Sequence, residues 1–353
     1  MLMRGLMRMG ILTVAASCLG ADAPPKPDSV TYRDTKSGKE ATKPGSILAE
    51  TPESIQVKIA GGVTLDVLEK DLISVSHGDA PAEFQQAEDA RQEGDYPRAA
   101  ELYQAALAAK NVGDWIQHDA RFGRADSLYR SGDLKGAAAV LVDMASGPAA
   151  KGRFAYLVKV RLGQCQIFQG QFDAAKATLE TLRSPLGNWG DGARELWSAR
   201  VLEVQKDPAG ALQAYTQAVG RLARHPDLRD QAQARAAICQ TALGKIPEAL
   251  AALKAPMEQS QGEKPGGIAL NLAHGGACLA LAKGAAAKEE AQKQAFHGLM
   301  SYLKVVVGGE SCPEDHAAAL LGAEQCLTLL GDARAQEMRA ERKQLYGDAF
   351  VAP

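Results

Sequence analysis

Residues 84–106 read FQQAEDARQEGDYPRAAELYQAA, and the architecture of the chain follows from this segment. A helix rich in small residues leads into a Gly-Asp-Tyr turn at 94–96. A second helix follows, in which Ala99 lies four residues before Tyr103. The same turn recurs four times, at intervals of 38, 38, 36 and 38 residues, starting at Gly132, Gly170, Lys206 and Gly244. A fixed period of this size predicts helix pairs stacked into a solenoid, which offers an extended surface rather than a closed pocket.

The repeated unit resembles the tetratricopeptide repeat family, which combines a small residue in the first helix, a Gly-Asp-Tyr-like turn and alanines in the second helix. The first unit carries this pattern at Ala87, Gly94-Asp95-Tyr96, Ala99, Tyr103 and Ala106. The resemblance covers residues 82–260, and two weaker units follow it. It implies a mainly α protein in which residues 80–348 form an α-solenoid of about six to seven helix pairs.

A different pattern precedes the helices, and residues 24–79 are predicted to form a linker followed by a small β domain. Alternating apolar and polar residues, separated by turn residues, predict five short strands. They cover 30–32, 46–50, 54–59, 63–67 and 71–75. A unit of this kind folds as an SH3-like barrel or a strongly bent sheet, and its small size favours packing on the first repeat. Residues 349–353 are predicted to be a tail.

Residues 1–23 are predicted to be the signal peptide of an exported bacterial protein. Two arginines precede a short apolar run at 11–19, which is too short to span a bilayer. Small residues follow, and Ala21 and Ala23 form a cleavage pattern that Pro24 disfavours. Cleavage after Gly20 or Ala21 is therefore an equal alternative. One alternative makes Cys18 a lipid-attachment site, and another makes the segment an ordinary helix of a cytosolic protein. The exported interpretation places the protein in the periplasm or cell envelope, or outside the cell.

Four of the six cysteines lie in first helices, at a position that faces the partner helix and requires a small apolar side chain. They are Cys165, Cys239, Cys278 and Cys326. Buried free cysteine behaves as a small hydrophobic residue, so these four need no disulfide or metal. An alternative combines His274 and Cys278 with Cys312 and His316 as a zinc site of two cysteines and two histidines. The other histidines are expected in solvent: His77, His118, His225 and His297.

The formal net charge is -2 and the basic residues are dispersed, which disfavours a nucleic-acid-binding stripe. The chain has no glycine loop with the spacing and preceding strand of a phosphate-binding site. Its cysteines and serines show no arrangement that indicates a nucleophile with a base and an orienting carboxylate. We therefore expect no enzyme, no cofactor and no nucleic-acid partner. Membrane contact is expected only through a lipid on Cys18.

In the family that the chain resembles, the first helix of each repeat lines the concave face. This implies a groove there for a partner protein or peptide with an amphipathic or extended segment. The matching positions are Phe84, Glu88, Phe122, Asp126, Tyr129, Val160, Gln164, Ile167, Arg200 and Glu203. Phe84 and Phe122 have an alternative role, which is packing against the next repeat or the β domain.

The function expected from these features is that of a protein–protein interaction scaffold of the bacterial cell envelope or exterior. One alternative is a lipid-anchored envelope assembly factor that uses Cys18. Another is a metalloprotein or hydrolase that uses His274, Cys278, Cys312 and His316.

Overall fold

The computed structural model describes residues 27–350, apart from 36, 69–70, 111, 183–187, 261–263, 309–311 and 348. The expected leader and its Cys18 lie outside the described residues. Within the described ranges, five strands precede fourteen helices. None of the helices in these ranges is long and apolar enough to cross a membrane.

The five strands form one antiparallel sheet near the start of the chain, in the order β4-β3-β2-β1-β5. They are β1 (Asp28–Arg33), β2 (Glu40–Glu50), β3 (Ser54–Ile59), β4 (Thr64–Leu68) and β5 (Leu72–Ser76). Five apolar residues from four of these strands form a buried core, and Trp115 from the helical region packs against it. The sheet is therefore anchored to the helices through its own core, as its small size requires.

The second strand is longer than the sequence predicted. It begins at Glu40 and not at Ser46, because Pro44 and Gly45 lie inside the ladder, opposite Ser29 and Asp28 of β1. A Cβ at position 45 would collide with the Lys58 carbonyl oxygen, so the glycine is explained by close approach of β3 rather than by a turn. Pairing in the described sheet does not join β4 to β5, and two register shifts bend it, so it is an open bent sheet.

The remaining elements are seven helix pairs, which confirms the predicted solenoid. The helices are α1 (Ala82–Gln92), α2 (Tyr96–Ala108), α3 (Asp114–Arg130), α4 (Leu134–Ser146), α5 (Ala155–Phe168), α6 (Phe172–Glu180), α7 (Asn188–Val204), α8 (Pro208–Arg221), α9 (Pro226–Ala242), α10 (Ile246–Gln259), α11 (Pro265–Gly284), α12 (Lys288–Gly308), α13 (Pro313–Leu330) and α14 (Ala335–Tyr346). Each odd-numbered helix is the first of its pair.

The predicted turns lie between the two helices of a pair, and their backbone explains the sequence pattern. The turn glycines at 94, 132, 170 and 244 have φ between 72 and 86°, a region that glycine adopts without steric cost. Lys206 takes the same position in the fourth pair with φ 63°. Asp95 and Asp207 then cap the second helices by accepting hydrogen bonds from the backbone N–H of Arg98 and Gly210.

The interior of the solenoid is built from alanines, a few tyrosines and the predicted cysteines. Cys165, Cys239, Cys278 and Cys326 are buried and free, which confirms their interpretation as packing residues. Burial raises the pKa of the Cys165, Cys239 and Cys326 thiols to about 12, so these groups stay protonated.

The last helix pair folds back onto earlier repeats. Glu314, at the start of α13, accepts hydrogen bonds from the Tyr129 hydroxyl at 3.0 Å and the Gln164 amide at 3.3 Å. Asp315 pairs with Arg235 of α9. Phe350, which the sequence placed in a tail, is only 7% exposed and packs edge-on against Tyr129. The C-terminal unit thus closes the inner face of the solenoid instead of ending it freely.

Candidate functional site

A cleft of about 440 Å³ lies where the β sheet meets the first three repeats. One side is β5, and the opposite side consists of residues from α1 and α3 together with Arg153 and Phe154. We call this the N-terminal cleft. Four of the ten predicted groove residues line it: Phe84, Glu88, Phe122 and Asp126.

The apolar part of the N-terminal cleft is an aromatic stack. The rings of Phe122 and Phe154 are 4.4 Å apart and 11° from parallel, and the Arg153 guanidinium lies 4.5 Å from the Phe154 centroid. Phe122 remains partly exposed. Phe84 is buried, packed edge-on against His77 and Tyr103. Phe84 therefore has the alternative role, that of a packing residue. Phe122 stacks on Phe154 and also exposes part of its ring to the cleft.

The charged residues of the cleft are paired within the protein. Glu88 accepts from Arg91 at 2.7 Å and also from the Tyr103 hydroxyl. Asp126 lies 2.6 Å from both Arg130 and Arg161. Burial opposes ionisation of Asp126, but the two guanidinium groups outweigh it and hold the pKa of this carboxyl below its usual range. The cleft therefore offers fixed and largely neutralised polar groups rather than a free charge.

A largely buried ionic cluster, three members of which line the cleft, joins the sheet to the helices. His77 Nε2 is 2.9 Å from Asp119 Oδ2, and Asp119 also pairs with Arg153. Arg153 Nε lies 3.4 Å from Glu50 Oε1, at the end of β2. The expectation that His77 lies in solvent is wrong, since it is 8% exposed. The histidine follows β5 directly and is drawn inward by the carboxylate that α3 places opposite it.

The pKa values of the two acids of this cluster shift in opposite directions, although burial acts upward on both. Burial raises the pKa of Glu50 to about 7, and Arg153 only partly opposes this rise. Burial also acts on Asp119, but its hydrogen bond to His77 and the charge of Arg153 together lower the pKa of that carboxyl. Burial lowers the pKa of His77, and Asp119 and Asp28 outweigh it, so the net shift is upward.

The other predicted groove residues lie deeper in the solenoid, and this corrects the expected groove. Tyr129 and Ile167 have no exposed surface, and Val160 and Gln164 are 8% and 5% exposed. Arg200 and Glu203 pair with each other, and Tyr215 donates to Glu203 at 2.6 Å. For Tyr129 and Gln164 the reason is Glu314 of the folded-back α13, which accepts hydrogen bonds from both. Val160 and Ile167 are instead buried in the hydrophobic cluster between α5, α6 and α7. A partner on the described surface would not touch Tyr129 or Ile167.

The four residues of the zinc alternative are not brought together as ligands. His274 Nδ1 is 2.8 Å from Ser301 Oγ. His316 lies against the Tyr346 hydroxyl at 2.8 Å and the Val306 carbonyl at 3.1 Å. In the part of the chain that the structure describes, no three His, Cys, Asp or Glu side chains are grouped to hold a metal ion.

Several residues of the N-terminal cleft were not identified from the sequence. The cleft residues that the sequence did not indicate are His77, Arg91, Asp119, Arg153 and Phe154. Helical spacing could have identified Asp119, because it lies three residues before Phe122 and seven before Asp126, on the same face of α3. No local pattern identifies His77, since its partner is 42 residues away.

Comparison with known proteins agrees with this architecture. Residues 84–150 match the family model described as tetratricopeptide repeat. The fold is similar to that of a Rap protein complexed with competence and sporulation factor, with 13% identity, a TM-score of 0.52, and 74% of this chain and 75% of that one covered. A signal transduction ATPase with a tetratricopeptide repeat sensor, from Pyrococcus horikoshii, aligns at 12% identity and a TM-score of 0.42, over 74% of this chain and 41% of its own. No curated protein matches the sequence.

Proposed function

Because the chain is a tetratricopeptide-repeat protein, we propose that it is a protein-interaction scaffold that holds a segment of a partner protein in the N-terminal cleft. The Rap protein with a similar fold was solved in complex with competence and sporulation factor, which supports a protein or peptide as the occupant. The proposal assigns no catalytic step to the chain.

One observation carries the choice of site. The inner face is lined by first helices, and the chain's own α13 occupies it at Tyr129, Gln164 and Arg235. Among the described residues, the N-terminal cleft is an open region of about 440 Å³ next to a partly exposed aromatic ring, Phe122. Buried aromatic anchors and arginines surrounded by satisfied polar groups are the features that dominate binding energy at protein interfaces.

The test is site-specific photo-crosslinking in the intact protein. A benzophenone amino acid in place of Phe122 should give a discrete adduct with one partner protein. The same group in place of Phe296, which is 54% exposed on α12, controls for random collisions. With the partner identified, Phe122→Ala should weaken binding by about tenfold or more, whereas Phe296→Ala should leave it unchanged.

Two outcomes would reject the N-terminal cleft as the binding site. The first is the same set of adducts from both positions. The second is an unchanged affinity of Phe122→Ala for the crosslinked partner, with circular dichroism confirming that the variant is folded.

For location, we propose that the protein is exported to the bacterial cell envelope or beyond it, on the basis of the sequence of residues 1–23. A lipid on Cys18 would make it an envelope-anchored assembly factor. Detergent-phase partition of the full-length chain that is lost in Cys18→Ala would favour the anchor. Aqueous partition of both forms would reject the anchor, and N-terminal sequencing of the mature chain would show whether the leader is removed.

A further inference from the structure

The strand β5 borders the N-terminal cleft with its edge. Residues Ile73, Ser74, Val75 and Ser76 all line the cleft. Successive side chains of a strand point to opposite faces of the sheet, so a cleft against one face would be lined by alternate residues. Ile73 lies at a register shift, but Ser74, Val75 and Ser76 pair regularly with β1. Three consecutive residues in regular register are what a strand presents when its backbone edge runs along the cleft.

This edge is unpaired in the described structure. The sheet order places β5 at one end, where its inner edge pairs with β1 from Ser29↔Ser76 to Tyr32↔Leu72. Apart from this pairing with β1, no backbone hydrogen bond in the described ranges involves residues 72–76. In an antiparallel pair, every second residue directs its N–H and C=O away from the neighbouring strand. The outer edge of β5 therefore offers backbone donors and acceptors beside the cleft.

The composition of β5 also distinguishes it from a protected edge. Its sequence, Leu-Ile-Ser-Val-Ser, contains no charged residue and no proline, two of the devices that prevent strand addition. A third device, a β-bulge, is present at Ile73 but leaves Ser74, Val75 and Ser76 in regular register. The opposite edge strand, β4, carries Asp66. The helical side of the cleft faces β5 across a space of about 440 Å³. Ile73 is 46% exposed on this border, so an apolar side chain of an added strand would gain contact there.

We propose that the N-terminal cleft binds an extended, uncharged segment of a partner protein as a sixth strand, paired to the outer edge of β5. This inference rests on the proposed scaffold function and specifies its ligand. Backbone hydrogen bonds supply affinity, and alternate apolar side chains of the segment contact Ile73 and the Phe122–Phe154 stack. The segment is uncharged because Glu88 and Asp126 already have arginine partners in the chain.

The test uses the intact protein and a capped peptide in which valine and threonine alternate, with one Glu–Lys pair at each end for zero net charge. Two further peptides carry N-methyl groups on alternate amides, one on each edge of the strand. The unmodified peptide should bind, and one methylated form should lose at least about tenfold in affinity. Loss of two or three backbone hydrogen bonds at one edge is sufficient for a change of about tenfold. The other methylated form should bind as before, because its methyl groups lie on the edge that faces away from β5.

Hydrogen–deuterium exchange supplies the location. Saturating peptide should slow exchange of the outward amides of β5 by at least about tenfold, while β4, the other edge of the same sheet, serves as the internal control and should not change.

Three results would overturn strand addition: equal affinity of both methylated peptides, protection of β4 rather than β5, or no binding of the unmodified peptide up to about 1 mM. None of them rejects the scaffold proposal, which the crosslinking at position 122 tests separately. If no adduct specific to position 122 forms, the scaffold proposal is rejected even if the model peptide pairs with β5.

Discussion

Glu50 shows at the residue scale how the junction between sheet and solenoid depends on charge. Its side chain is fully enclosed, and in the described part of the chain neither carboxyl oxygen has a hydrogen-bond partner. Burial raises the pKa of the carboxyl to about 7, against 4.5 for the ordinary group. Between these two values the folded chain holds a proton that the unfolded chain has released. Stability therefore falls as pH rises through this window.

Glu50→Gln should remove this contribution to the pH dependence. The free energy of unfolding of the parent protein, measured by urea titration at about pH 5 and about pH 7.5, should fall by about 2 kcal/mol more than that of the variant. The upward pKa shift of His77 gives a further decline as pH rises above 6.5, and it is common to both proteins. Parallel profiles for parent and variant would show that Glu50 is not the buried acid described.

At the scale of elements, two pairs of neighbouring helices pack closely because a tyrosine of one helix lies against a glycine of the other. Tyr103 of α2 lies against Gly123 of α3, and Tyr302 of α12 lies against Gly322 of α13. A Cβ at either glycine would overlap the tyrosine ring. Glycine costs helix stability, so its presence inside α3 and α13 is explained by close approach of the tyrosine and not by propensity.

Two glycine substitutions should therefore have opposite effects on stability. Gly123→Ala should destabilise the protein by about 1–3 kcal/mol, because the added methyl displaces Tyr103. Gly220→Ala, at an exposed position of α8 with no atom near its Cβ site, should stabilise it by up to about 1 kcal/mol. Thermal or urea unfolding of both variants checks the signs, and stabilisation by Gly123→Ala would contradict the packing described.

At the scale of the whole molecule, the solenoid closes on itself. Glu314 of the last pair binds Tyr129 of the second and Gln164 of the third, and Phe350 completes the hydrophobic cluster around Tyr129. Burial, and then the charge of Glu314, raises the pKa of Tyr129 far above 10, so the hydroxyl stays protonated and donates. This closure explains why Tyr129 and Gln164 of the predicted groove are covered.

A double-mutant cycle measures the closure across 185 residues of sequence. Tyr129→Phe and Glu314→Gln should couple by about 1–2 kcal/mol in the free energy of unfolding, since a hydrogen bond to a carboxylate joins them. Tyr103→Phe removes a similar hydroxyl that binds Glu88 instead, and with Glu314→Gln it should be additive within about 0.5 kcal/mol. Additivity in both cycles would show that the last pair does not close on the second.

Short windows of sequence determined the repeat positions, the buried cysteines and the existence of all five strands. These features depend on φ preferences, hydrophobic spacing and side-chain volume within a few residues, so they are visible without a structure. The same windows indicated Phe122 and Asp126, which share one helical face with Asp119 in the N-terminal cleft.

Only the tertiary structure decided which inner-face residues stay accessible. Tyr129 and Gln164 carry the pattern of groove residues, yet Glu314, which is 185 and 150 residues further along the chain, binds both of them. His77 is likewise buried against a distant partner, because Asp119 lies on a different element, 42 residues away. Such contacts depend on geometry accumulated over many residues, and no local period of the sequence encodes it.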